Sequence, residues 1–374
     1  MTLVEKADRP PGGPSIVDWH AAAQVAGHLA RPGPQASRDE LADLVDGLRE
    51  AATTAVPHVL DVTRMTPAGA VRPTALGSVY VVDRARWAQA NTEIMASLTD
   101  GVAQSLLADG SDREPHVPQS AALVGAAQLG SVLAVLASRV LGQFDPYSGT
   151  TSGGPGRLVL VAPNVLQAER ALDLVPDDFR LWVCLHEQTH ALQFATAPWL
   201  AGHLGGRAHR LLTDLSASSR RLAEARVTEK LRTVGRAVLS AVRGEGGTLV
   251  HGFLTDDERR QLEDVSAVMA LLEGHADVAM DAVGPRTVRT VRSIRRRFEA
   301  RRDGAGGSGF DVVLRRLLGM DAKIAQYRDG AAFVRAVEKE VGRDGFNAVW
   351  AAPENLPTAR EIADARAWVR RVHG

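Results

Sequence analysis

Cysteine is nearly missing from this chain of 374 residues: Cys184 stands alone, so no intrachain disulfide can form and any metal site must draw on His, Asp or Glu. Lysine is almost as scarce. It occurs only at Lys6, Lys230, Lys323 and Lys339, so arginine supplies the other 40 of the 44 basic residues. An excess of either charge sign is also lacking, because 44 acidic residues balance the 44 basic ones, and this excludes a strongly basic nucleic-acid binder and an acidic disordered tail. Aromatic residues make up 5% against 45% hydrophobic residues overall, which predicts an Ala-rich, helix-dominated core.

An export signal is not legible either: MTLVEKADRPPGGPSIVDWH places acids and prolines where a basic start and a continuous apolar run are needed. With the lone cysteine, this predicts a reducing, cytoplasmic setting. One run is long enough to be mistaken for a membrane span, the eighteen uncharged residues AALVGAAQLGSVLAVLAS from Ala121 to Ser138. It has no aromatic belt, and the expectation is a buried core helix with no membrane partner.

What is present is mainly helical spacing, and the fold class it predicts is mainly α with a small β-sheet, an α+β arrangement. An N-terminal arm (1–36), punctuated by RPPGGP and RPGP, carries one short helix. A helical region (37–150) follows, opened by Ser37 and Glu40 in a capping-box pattern, and a catalytic region (151–374) forms one compact unit with it. Strands are expected at Val79–Val82 and Arg157–Ala162. Trp350 and Trp368 are expected core anchors.

The chemistry concentrates in VCLHEQTHAL, Val183 to Leu192. His186 and His190 stand four residues apart on one helical face, so both imidazoles can meet one ion, while Glu187 can reach a water beside it without being a ligand. This is the H-E-x-x-H arrangement of zinc peptidases. The metzincin extension is excluded, since Gln193 and Thr196 stand where it needs Gly and His. The gluzincin pattern instead takes a Glu from a later helix, with an Asp four residues on that accepts a hydrogen bond from a ligand imidazole. Glu273 and Asp277, in EGHAD, supply it. His275, His203, His209 and His251 are the alternative ligands. The arginines from Arg286 to Arg302 read as a solvated amphipathic helix, not a nucleic-acid surface.

RLVLVAPN, DFRLWVCLHEQTHALQF with PWL after it, EGHADVAMDAVG, LLGMDAKIAQYRDG and LPTAREI together resemble a bacterial, actinobacterial-type family of zinc-dependent metalloproteases and uncharacterised hydrolases. The likeness runs from about Val17 to Val372, and the two metal motifs are its most specific parts. It implies a zincin-like core, zinc held by His186, His190 and Glu273, and Glu187 as catalytic acid/base. Some members carry a deazaflavin-coenzyme label, although the chain has no Gly-rich nucleotide loop.

The expected reaction is zinc-dependent hydrolysis of a peptide or small amide, Glu187 moving the proton from water to the leaving amine. Tyr327 is the first choice for stabilising the oxyanion and His275 the second. The strand Leu158 to Val161 is expected to be the edge that pairs with an extended substrate. The alternatives are non-peptidase amide hydrolysis with the same residues, or a metal site kept for structure or regulation. Glu187 argues against the last, since a structural site has no need of a general base.

Overall fold

The computed structural model describes residues 17–69, 74–99, 118–148, 156–224, 255–303 and 320–374. Its architecture is mainly α with a small three-stranded sheet. The elements are α1 (Trp19–Leu29), α2 (Arg38–Thr63), β1 (Ser78–Val82), α3 (Arg84–Leu98), α4 (Gln119–Leu136), β2 (Gly142–Asp145) and β3 (Arg157–Val161). There follow α5 (Ala162–Ala171), α6 (Pro176–Thr196), α7 (Trp199–Glu224), α8 (Asp256–Val283), α9 (Val291–Asp303), α10 (Met320–Phe346), α11 (Ala359–Ala363) and α12 (Ala365–His373).

Strand order is β1-β3-β2, with β1 parallel and β2 antiparallel to the central β3. RLVLV is apolar without alternation because β3 is buried on both faces. Alternate side chains then serve separate cores. Leu158 and Leu160 join the large cluster with α2, α5, α6, α8 and α10, whereas Val159 and Val161 join Trp87, Ala26 and Leu133 from α3, α1 and α4. The sheet is therefore a partition between two helical layers.

Central placement corrects one expectation. Both edges of Leu158 to Val161 are already paired, so that strand has no free edge for a substrate. The edge strands are β1 and β2, and it is β2 that lies beside the histidine helix; its four residues, GQFD, give too short a pattern to read locally.

The uncharged run likewise differs from expectation. In α4 only Ala126, Gly130, Leu133 and Ala134 are buried, and Leu123, Val124, Val132 and Val135 lie on the outside. Its small residues admit close packing against α1: a Cβ on Gly130 would stand 2.8 Å from the Ala22 carbonyl oxygen. Among the described residues, α4 is the one helix long and apolar enough to cross a membrane.

Helix ends follow local chemistry. Ser37 caps α2 by accepting from the Glu40 N–H, but the Glu40 carboxylate pairs with Arg170 at 2.6 Å. Thr255 and Glu258 form a complete capping box at the start of α8. Pro176, Asp177 and Asp178 open α6, and Asp178 also accepts from the Thr290 N–H and hydroxyl at 2.7 Å. Trp350 and Trp368 are buried, as expected of core anchors.

Candidate metal centre

Two helices carry the site. The far side of α6 is fixed to α2 by the Gln188 side chain, which donates to the Ala52 carbonyl at 2.9 Å, and to α2 and α5 by Arg180, which pairs with Asp43 and Glu169 at 3.0 Å each. That anchoring turns His186 and His190 toward α8. Their Nε2 atoms lie 3.1 Å apart, and Glu273 completes the group with Oε2 3.4 Å from His186 Nε2 and Oε1 3.7 Å from His190 Nε2.

A tetrahedral zinc with N and O ligands at about 2.0–2.1 Å needs neighbouring donors about 3.3–3.4 Å apart. The Nε2–Nε2 separation and the approach of one Glu273 oxygen to each imidazole lie near that value, and the donor set is one that zinc accepts. Among the described residues, His186, His190 and Glu273 are the group whose donor atoms gather this way, all within 4.8 Å of one another.

The charges of the metal-free site are unequal. Burial disfavours the His186 imidazolium, yet its hydrogen bond to the Glu273 carboxylate and the charges of Glu273, Glu187 and Asp277 outweigh it and raise the pKa to about 9. For His190, burial and the neighbouring His186 win over Glu273, and its pKa is lowered. The two imidazoles thus differ, His186 favouring the charged form and His190 the neutral one.

Glu187 faces the other way, against β2, and is 7% exposed. Burial pushes its carboxyl up to about 7, with Glu273 adding to the rise and His186 and the Phe144 N–H opposing it. A carboxyl at that value suits proton transfer near neutrality. Gly142 makes this seat: a Cβ there would lie 2.7–2.9 Å from the Glu187 side chain, so only glycine lets the strand approach so closely.

Other expected residues fall differently. Asp277 does not orient a ligand imidazole, because Arg295 takes both its oxygens at 3.1 Å and also pairs with Asp281 at 2.6 Å. A guanidinium is a stronger partner for carboxylate than a neutral ring N–H. It follows that Arg295 is no solvated member of a stripe. The position behind His186 Nδ1 goes to the Met280 sulfur at 3.1 Å.

His275 lies behind the ligands, 2% exposed, its ring 5.2 Å from Phe346 and 5.4 Å from Trp350. That burial does not suit the oxyanion role expected of it. Tyr327 falls within α10, but its side chain lies outside the described residues. His203 accepts from Arg207 at 2.8 Å and packs on Trp199, and His251 lies outside the described residues.

Gln193 is the residue that sequence reading used only to exclude a pattern. It follows His190 by one helical turn and accepts from His190 Nδ1 at 2.9 Å, a spacing that could have flagged it.

A model of the zincin-like metallopeptidase family matches residues 17–369. The chain belongs to that family. Among solved structures, this zincin-like protein is similar to one from Chloroflexus aurantiacus described as a candidate hydrolase with a novel fold. Sequence identity is 28% and the TM-score 0.61, over 96% of this chain and 99% of that one. A comparison with curated proteins gave no match. Membership of the zincin-like family makes the protein a metallohydrolase and implies a metal ion, usually zinc, and His186, His190 and Glu273 form a group that could hold it.

Proposed function

We propose that the protein is a zinc-dependent peptidase of gluzincin arrangement that hydrolyses a peptide or small amide, with His186, His190 and Glu273 holding the ion. The observation that carries this reading is the convergence of three donor atoms, from two helices, beside a buried carboxyl that is not one of them. Zinc bound by such a set acts as a Lewis acid toward a carbonyl and lowers the pKa of water.

The chain's own residues do the rest. Glu187, whose carboxyl is pushed up to about 7 and is aimed by the Phe144 N–H, takes in its ionised form a proton from the attacking water. As the carbon–nitrogen bond breaks, Glu187 returns that proton to the departing nitrogen. The outer edge of β2 runs beside Glu187, where an extended substrate could lie along it. The metal-site alternative without catalysis is disfavoured by Glu187 itself, whose burial is costly and serves no ligand role.

Elemental analysis of purified wild type, Glu273→Ala and Glu187→Gln tests the assignment, followed by a peptide-library screen. The reading expects about one zinc in wild type and in Glu187→Gln, loss of zinc in Glu273→Ala, and cleavage by wild type alone. Wild type without metal, or full zinc in Glu273→Ala, overturns it.

A further inference from the structure

A ligand imidazole is useful only if the correct nitrogen bears the lone pair, and the partner of its other nitrogen decides that. For His190 that partner is Gln193, which is fully buried. The amide's own orientation follows from chemistry. One side of it lies 3.0 Å from the Leu272 carbonyl, which can only accept, so the NH2 group must face α8. Its second hydrogen then points at His275 Nδ1, 3.1 Å away, which makes that nitrogen an acceptor.

The Gln193 oxygen is left facing His190 Nδ1 at 2.9 Å and can only accept from it. His190 therefore holds its proton on Nδ1 and presents the Nε2 lone pair to the ligand group. Leu272 and His275 stand on either side of Glu273, so one amide reaches both helices that carry ligands. The His275 ring, wedged against Phe346 and Trp350, is the fixed post for that amide. His186 has the weaker arrangement, a thioether sulfur behind its Nδ1.

We propose that Gln193, braced by His275 and the Leu272 carbonyl, is a positioning residue that locks the His190 tautomer and registers its ring against the Glu273 helix, and thereby sets metal affinity. This rests on the metal assignment made above.

The test is zinc affinity of the full chain by competition with a chromophoric chelator, together with ring-nitrogen NMR of His190 in metal-free protein. Loss of a partner behind a ligand histidine typically weakens binding about 10–100-fold, and Gln193→Met is expected to fall in that range. Gln193→Glu keeps an acceptor for His190 but has no donor for Leu272 and His275, so it should hold the His190 tautomer while still weakening zinc binding. His275→Asn keeps an acceptor where Nδ1 stands, and His275→Leu does not, so the leucine variant should bind more weakly.

In Gln193→Met the His190 signals should move from the Nδ1–H form toward a mixture, a change that loss of general stability would not produce. Equal affinity and an unchanged tautomer in Gln193→Met overturn the inference while leaving the metal site standing. Should that variant fail to fold, equal affinities of His275→Asn and His275→Leu overturn it instead. Wild type that binds no zinc removes the metal assignment itself.

Discussion

Gly274 and Gly330 meet backbone to backbone where α8 crosses α10, and a Cβ on either would overlap the main chain of the other helix. Gly274 immediately follows Glu273, so a shift of this crossing would move the stretch of α8 that carries the carboxylate. Gly274→Ala and Gly330→Ala should each destabilise the fold by about 1–3 kcal/mol, since the helices must separate to admit a methyl group. Urea denaturation of metal-free protein measures this, and zinc affinity should fall in parallel. Wild-type stability in both variants would remove the crossing as a determinant of the site.

Zinc uptake should release a proton around neutral pH. His186 is raised to about 9 in the metal-free site, so at pH 7 it is an imidazolium that must deprotonate to become a ligand. Apparent affinity is then expected to rise with pH up to about 9 and to fall about tenfold per unit below it. Calorimetry in buffers of different ionisation enthalpy counts the proton. A binding heat that does not depend on the buffer contradicts the charge assignment.

Gly142→Ala should separate catalysis from metal binding. The added methyl meets Glu187 and not a ligand, so zinc content is expected to stay at the wild-type level. Hydrolysis should drop by an amount approaching that of Glu187→Gln, about 10²–10⁴-fold for loss of a general base. Unchanged turnover would show that β2 does not seat Glu187 during the reaction.

Away from the site, Glu361 gives the C-terminal helices an acid-sensitive tie. Its burial favours the neutral form, but hydrogen bonds from Arg371 at 2.6 and 2.9 Å, those of Thr358, and the charge of Arg371 outweigh this and lower its pKa. A carboxyl depressed in the folded state adds stability that is complete above its unfolded value of about 4.3 and vanishes as pH falls through the folded value. Melting curves of Glu361→Gln against wild type should therefore differ most at neutral pH and converge in acid. A constant gap would assign the difference to packing.

The sequence alone determined whatever depends on spacing within one element. Four residues per turn put His186 and His190 on one face, a continuous apolar run marked β3 as a strand though not as the central one, and an acidic pair on an apolar helix marked Glu273. Only the tertiary structure decided who partners whom. Asp277 reads locally as a second acceptor for a ligand ring, yet Arg295, distant in sequence, captures it. Gln193 reads as a mismatch until α8 brings Leu272 and His275 to its amide. The strand at Gly142 exists because β3 offers it a ladder, and the apolar face of α4 points outward because the sheet and α1 occupy its other side. Periodicity is carried by neighbouring residues, whereas hydrogen-bond partners and close backbone approaches arise between segments that only the folded chain brings together.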